Sequence, residues 1–331
     1  MAHDLDKLHL LIQGKCFLIM LDYPSLFALA AVVREGSFER AARALNVTPS
    51  AVSQRIRLLE ERVGCALVTR VQPCEATEAG RRLCQHVDRV RMLEHELHTD
   101  MPAFTPDGPV RVNVPVAVNA DSLATWFVPS AVAFTASAQV LLQVSVDDEG
   151  HTAQWLRSGQ VLAAVTATEQ AAAGCNSQSL GAMRYVAAAS PAFVKQHFAK
   201  GVNANSLAEA PSLIFNTKDE LQQRWVERLC GHRVEMPRHT LPSPHAFLAA
   251  ALGGMGWAMH PLALVQDHLV SGQLVELKPG SYWDVPLFWQ QARIASALLS
   301  ELSKEVVMAA KGRLVQGQVN SILAGRQSKI E

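Results

Sequence analysis

The chain has 331 residues, 49% of them hydrophobic, and its 30 basic residues balance its 30 acidic ones. That length points to two or three domains with sizeable cores, and zero net charge excludes a protein that holds nucleic acid by bulk electrostatics alone. Six cysteines with no C-x-x-C pair and no regular spacing argue for reduced thiols in a cytosolic protein, not a disulfide framework or a zinc site.

Residues 1–20 match no later pattern. Asp4 and Asp6 interrupt them and no small-residue cleavage site follows, so they do not read as a signal peptide. Met20 is well placed as an alternative start. Pro24 opens a first helix whose apolar face is Leu26, Leu29, Ala30 and Val33, and Gly36 ends it. Ser37 caps a short helix, Phe38 to Leu45, and Asn46-Val47 makes a tight turn. Thr48 then caps a longer helix with Pro49 at its first position, where the missing N–H costs nothing. Along it Val52, Ile56, Leu59 and Val63 stack on one face, and Ser50, Ser53, Gln54 and Arg57 fall on the other. Those four are side chains of the kinds that read base edges and phosphates. Helix, short turn and capped helix is the helix-turn-helix pattern, although two packed helices of an ordinary α domain show the same periodicity.

Leu67 to Val71, followed by QPCEA, reads as a strand–turn–strand wing with Arg70 near its tip. Arg70 is placed to touch phosphate or enter the minor groove, or simply to sit in solvent. Between residues 21 and 73 there are 7 arginines and 5 acids, so affinity must come from positioned contacts and from more than one copy of the domain. The expected DNA contacts are Thr48, Ser50, Ser53, Gln54, Arg55, Arg57 and Arg70, with Arg55 and Arg70 on the backbone.

Thr77 and Glu78 start another helix that runs to about His98. Its Leu83, Val87, Val90, Leu93 and Leu97 form a seam for a partner helix or for the chain's own body. His95 and His98 lie three apart but lack a second ligand pair, so they read as a solvated face and no metal is assigned. Met101 to Pro109 holds three prolines and a glycine and reads as a hinge.

Beyond the hinge, strands and helices alternate. VRVNVPVAV, VLLQVSVDD and Val161 to Ala167 read as strands, with helices at Asp121 to Ala133 and near His151 to Arg157. This alternation predicts a parallel sheet with helices on both faces. A second such unit begins near Tyr185, and a strand at Tyr282 to Trp289 returns to the first, closed by a helix at Ile294 to Met308. Two α/β subdomains joined by two crossovers is the plan of periplasmic-type binding proteins, which clamp a small ligand between them. The run Ala246 to Val265 has the length of a membrane span. Gly253, Gly254, Gly256 and Pro261 cut it into helix, turn, buried strand and helix, and His260 is its one polar interruption. Lys311 to Glu331 has weak periodicity and reads as a loose tail.

Ligands in open α/β sheets sit beyond the carboxyl ends of strands, near helix N-termini. Asn119, Asp121 and Ser122 lie at such a point, where N–H groups and a hydroxyl suit a carboxylate, and Asp121 or Asn119 suits an ammonium. A plain helix cap explains the same side chains. Asp147, Asp148 and Glu149 end the next strand, an ordinary solvated loop or a partner for a cation. Thr166 and Thr168 exit the third strand, and Phe215-Asn216 and Ser243 with His245 come from the second unit. No G-x-S-x-G, P-loop or dinucleotide fingerprint follows a strand, so no catalytic residue and no cofactor is assigned.

SAVSQRIRLLEERVG, with GSFERAARAL before it and LVTR and TEAG after it, resembles the DNA-binding domain of LysR-type transcriptional regulators from Asp22 to Leu97 without a gap. VNADSLATW, Val118 to Trp126, resembles the ArgP/LysG branch of that family, whose members sense basic amino acids and control lysine or arginine export. The resemblance spans residues 21 to about 308. It implies an α+β multidomain chain: a winged helix-turn-helix at 21–76, a dimerisation linker helix at 77–100, a hinge at 101–109 and an effector-binding domain at 110–310. That domain would hold one subdomain at about 110–184 and 285–310 and another at about 185–284. It further implies double-stranded operator DNA, RNA polymerase and a second copy as partners, in a homodimer or homotetramer, and a cytoplasmic, nucleoid-associated location without a membrane. Lysine or arginine is the implied effector, an exporter gene the implied target, and Asp148 and Glu149 the implied cation partners. One departure stands out. The branch leads us to expect an S-S-E-A-F-like run where this chain has Ser243-Pro244-His245-Ala246-Phe247. The competing readings are a LysR-type regulator of an unrelated effector, an α/β enzyme with an accessory nucleic-acid module, and a non-specific DNA organiser, which would need a far more basic chain.

Overall fold

The computed structural model describes residues 21–101, 112–138, 140–147, 152–157, 160–293 and 297–317. The expected ligands Asp148 and Glu149 lie outside the described residues. The chain divides into two compact units, residues 1–91 and 92–331.

In the first unit, helices Tyr23–Glu35, Phe38–Ala44 and Pro49–Val63 close on a core that includes Leu26, Leu29, Val52, Ile56 and Leu67, all fully buried. Ser37 Oγ accepts from the Arg40 N–H at 3.4 Å and Thr48 Oγ1 from the Ala51 N–H at 3.2 Å, so each helix of the pair starts on a side-chain cap. Asn46 turns the chain between them at φ 52°, a left-handed conformation its short polar side chain tolerates. Val63, expected on the buried face, is 44% exposed in the last helical turn before Gly64. The wing is reduced to one antiparallel bridge, Val68 to Ala76, with the Thr69 N–H donating to the Glu75 carbonyl at 2.8 Å. Helix Glu78–Asp100 follows, its Thr77 Oγ1 accepting from the Gly80 N–H. A Cβ on Gly80 would lie 2.0 Å from the Leu67 carbonyl oxygen, so only glycine lets this helix start against the wing.

The second unit is built on β1 (Val112–Asn119), β2 (Val140–Asp147), β3 (Ala163–Thr166), β4 (Cys175–Ala189), β5 (Ser212–Ile214), β6 (Arg238–Thr240), β7 (Ala258–Pro261), β8 (Val275–Glu276) and β9 (Tyr282–Ala292). The main sheet has the order β2-β1-β3-β9-β4-β7, with β8 on β4. Within the main sheet the expected parallel pairing holds for β2, β1 and β3. The returning strand β9 is antiparallel to β3 and β4, and β4 is antiparallel to β7, because β4 and β9 carry the chain across and back. They pair from Cys175 against Ala292 to Val186 against Tyr282, so both crossovers are one long ribbon shared by two halves. Near its Val186–Tyr282 end Arg184 clasps Asp284 through two 2.8 Å hydrogen bonds, which raise the guanidinium's already high pKa. In the second half β5 pairs in parallel with β6 and bridges to Trp257, next to β7.

The long apolar run folds as expected: helix Pro244–Leu252, a glycine turn, buried β7 and helix Leu262–Val270. Among the described residues no helix is long and apolar enough to cross a membrane. The start of the C-terminal segment is not loose. Val315 bridges Ala182 with hydrogen bonds of 3.0 and 2.9 Å, and Leu314 is buried. Gly181 makes room for it, since a Cβ there would meet Val315 O and Gln316 Nε2 at 2.7 Å.

Candidate functional site

In the first unit the helix Pro49–Val63 buries Val52, Ile56 and Leu59 and exposes Ser50, Ser53, Gln54 and Arg57 on its other side. Thr48 is exposed but occupied: besides capping Ala51, its Oγ1 lies 3.0 Å from Ser50 Oγ. Arg55 is partly covered. Arg57 Nε lies 3.6 Å from Glu61 Oε1 in a solvent-exposed pair, a contact weak enough to be exchanged for phosphate or guanine. Arg70 is exposed on the wing, 4.0 Å from Glu60 Oε2, while the other Glu60 oxygen accepts from the Leu67 N–H at 2.8 Å. Glu60 thus ties the wing to the helix that the sequence places in the groove. Leu58, half exposed on the same helix, was not foreseen as part of this face.

The second unit carries a cleft of about 250 Å³ between its two halves. Ala120 and Asp121 line it just beyond β1, Ala167 beyond β3, and Phe215 and Asn216 beyond β5. The floor and far wall come from Trp283 and Val285 of β9, Met259, His260 and Pro261 of β7, and Lys218 to Gln222 with Arg224. The parallel strands β1, β3 and β5 lead at their carboxyl ends into this opening, as in other open α/β sheets. Among the described residues its charged lining is three carboxylates, Asp121, Asp219 and Glu220, against two cations, Lys218 and Arg224. The Asp219 carboxylate caps the local turn, accepting from the Phe215 and Leu221 N–H groups at 2.9 and 3.0 Å, and Glu220 pairs with Arg224 at 3.5 Å.

The expected site residues divide. Asp121 and Phe215 line the cleft, and Asp121 Oδ2 accepts a 2.6 Å hydrogen bond from the Tyr185 hydroxyl. Asn119 and Ser122 are buried directly beside Asp121, and Asn119 Oδ1 and Ser122 Oγ have no hydrogen-bond partner among the described residues. Thr166 is buried at the end of β3, where its hydroxyl oxygen accepts from the Thr168 N–H at 3.2 Å. His245 is exposed and outside the lining. Ser243 caps its helix, accepting from the Ala246 N–H at 3.3 Å, and Pro244 turns inward, so the next residue turns away. Pro244 and Phe247 of the same helix line the cleft instead.

The stretch Val118 to Trp126 closes β1 and enters a π-helical segment, Leu123–Phe127. Such segments concentrate at functional sites because the widened turn re-aims neighbouring groups. Here it follows directly on Asn119, Asp121 and Ser122 and buries Trp126 and Phe127. Among the cleft residues that escaped the sequence reading as ligand candidates are Gln222 and His260. Both are buried, and Gln222 Oε1 and both His260 ring nitrogens lack partners among the described residues. Burial pushes the His260 pKa down to about 4, so its ring is neutral. The available signal was a lone histidine in an apolar strand. Among the described residues no three His, Cys, Asp or Glu side chains group as metal ligands would.

These two sites agree with what the chain resembles. Residues 25–81 match the family model described as a bacterial regulatory helix-turn-helix protein, lysR family, and residues 105–310 match the LysR substrate binding domain. The HTH-type transcriptional regulator ArgP of Pseudomonas aeruginosa is 43% identical over 300 residues, 90% of this chain and 99% of that protein. The crystal structure of ArgP from Mycobacterium tuberculosis superposes with a TM-score of 0.74 at 41% identity, covering 90% of this chain and all of that one. Full-length LysG from Corynebacterium glutamicum with bound effector Arg superposes with a TM-score of 0.64 at 34% identity, covering 89% of this chain and all of that one. With an exposed polar face on a capped helix in one unit and a ligand-sized cleft in the other, the chain belongs to the LysR family of transcriptional regulators and is of the ArgP/LysG type.

Proposed function

We propose that this regulator senses a basic amino acid, lysine or arginine, in the cleft of its second unit and controls an amino-acid exporter gene. One observation carries the reading. The turn after β1 brings the Asp121 carboxylate to the lining of a cleft that also holds Asp219 and Glu220, and beside it Asn119 Oδ1 and the Ser122 hydroxyl are buried without partners among the described residues. A free amino acid brings an anionic end, an ammonium and a distant cation, and this turn offers N–H and hydroxyl groups for the first and acceptors for the second. The LysG relative, whose structure holds arginine, supports the choice of ligand. Asp148 and Glu149 are assigned to the side-chain cation on sequence grounds, and Thr166 and Phe215 are assigned to the effector as well.

Thr48, Ser50, Ser53, Gln54, Arg55, Arg57 and Arg70 are assigned to operator DNA. Exposed Leu93 and Leu97, on the outer side of helix Glu78–Asp100, suit pairing with a second copy. We assign residues 21–76 to DNA binding, 77–100 to dimerisation and 110–310 to sensing, in a cytoplasmic protein that works with RNA polymerase. Binding in the cleft biases the angle between the two halves by the ligand's differential affinity for the two states, commonly about 1–3 kcal/mol. Calorimetric titration of the full chain with lysine and arginine, followed by footprinting on its own upstream DNA with and without the bound amino acid, tests the proposal. Heat from either amino acid and a changed footprint are expected. No binding of any basic amino acid would remove the effector assignment and leave a LysR-type regulator of another ligand.

A further inference from the structure

The far wall of the cleft holds two polar side chains that the fold leaves unsatisfied. Gln222 is 2% exposed and His260 0%, and both line the cleft. Gln222 donates Nε2–H to the Leu213 carbonyl at 2.8 Å. A carbonyl oxygen can only accept, so this bond fixes the amide's orientation and leaves Oε1 as the atom without a partner among the described residues. His260 stands opposite Val186 in the β4–β7 pairing, with its ring edge-on to Phe247 at 6.4 Å, and neither of its nitrogens has a partner among the described residues. A neutral imidazole keeps one lone pair. The wall therefore holds two neutral acceptors, the Gln222 amide oxygen and the imidazole lone pair, beside the imidazole's own N–H.

The two cations that a basic amino acid can bring differ in how they suit such a wall. An ammonium is a compact, strongly hydrated charge that loses much on leaving water for neutral acceptors. A guanidinium is more weakly hydrated and spreads five N–H groups over a plane, so it can donate in two directions at once while the cleft carboxylates balance its charge at longer range. Resting on the reading of the cleft as a basic amino-acid site, we propose that Gln222 and His260 are its specificity-determining residues, accepting N–H groups of a guanidinium side chain and selecting arginine over lysine.

The test is calorimetry with arginine and with lysine on the full-length wild type, His260→Phe and Gln222→Met, with thermal melts of each protein without ligand. Phenylalanine keeps the ring beside Phe247 and removes the unsatisfied nitrogens. Wild type is expected to bind arginine more tightly than lysine. Each variant is expected to lose arginine affinity by about tenfold or more and lysine affinity by less, which narrows the preference. The ligand-free melting temperature of His260→Phe should hold or rise by about 2–4 °C, an outcome opposite to that of a residue kept for packing. Arginine binding by either folded variant as in wild type, an equal loss for both ligands, or a wild type that prefers lysine would overturn the proposal. A wild type that binds neither amino acid would overturn the functional reading itself and this proposal with it. If one variant fails to fold, the other decides.

Discussion

The recognition helix holds Ser50, Ser53, Gln54 and Arg57 in water, whereas the cleft holds Gln222 and His260 away from it. The first arrangement costs the folded protein nothing, because solvent satisfies those groups until DNA displaces it. The second leaves acceptors unbonded in a dry wall, and each such group destabilises the fold by about 1–3 kcal/mol. A large, flat, charged partner can be met by an exposed face whose contacts are exchanged for water. A small ligand can be discriminated only where water is excluded, since polar groups left unpaired then penalise the wrong ligand. The two units thus place their function at opposite ends of the stability scale.

That contrast can be broken or sharpened by substitution, starting where the effect is greatest. Ile56→Ala removes a fully buried side chain from beneath the exposed face and should destabilise the first unit by about 2–5 kcal/mol, read by denaturant unfolding. A smaller loss would mean that the face rests on something other than this core. His260 sets the next largest effect, and it depends on pH. Its ring is neutral in the fold down to about pH 4 but takes a proton near 6.5 when unfolded. Stability is therefore intact above pH 6.5 and falls as pH drops through the window to about 4, by about 3 kcal/mol in all. His260→Phe should abolish this part of the acid sensitivity, so the stability difference between variant and wild type should widen between pH 7 and pH 4.5. A pH-independent difference would show that His260 reaches solvent or a partner.

The exposed face should respond in the opposite way. Arg57→Ala should leave the melt unchanged and weaken operator binding by about 1–3 kcal/mol, relaxing specificity at one base pair, as measured by fluorescence anisotropy against single-substitution operators. Binding equal to wild type would take Arg57 off the base-reading face. Thr48→Ala should produce the smallest change, about 1 kcal/mol of helix stability from the lost cap on the Ala51 N–H, detectable as faster amide exchange in the first turn.

The two regions also differ in how far sequence reveals them. The recognition helix is local: one cap, one proline and a 3.6-residue period place its buried and exposed faces, although Val63, in the last turn, is exposed and Leu58 joins the exposed face unforeseen. The strands and the two-half plan are legible for the same reason, though the antiparallel run of β9 is not, because pairing direction depends on partners far along the chain. The cleft gathers residues from β1, β3, β5, β7 and β9, and no period relates them. Asp121 and Phe215 are within reach of a local rule, since both lie just past the carboxyl end of a strand. Gln222 escapes that rule because it sits inside a helix with charged neighbours, and its burial depends on Leu213 across the turn. His245 suggests itself because it opens a helix at the right loop, yet the capping geometry of Ser243 and Pro244 turns it outward.

The shared ribbon of β4 and β9 also sets a schedule. β3 at residues 163–166 finds its antiparallel neighbour only at residues 288–291, so the sensing unit cannot close its sheet until nearly the whole chain has left the ribosome. The DNA-reading unit has all its partners by residue 91 and, as N-terminal domains do, folds while synthesis continues. Each new molecule therefore passes through an interval in which its operator-binding surface is formed and its sensor is not. β1, β2 and β3 can pair with one another early, but the edge of β3 that β9 later covers stays unpaired throughout that interval, which makes the translation rate across residues 185–281 a determinant of how much regulator is recovered intact.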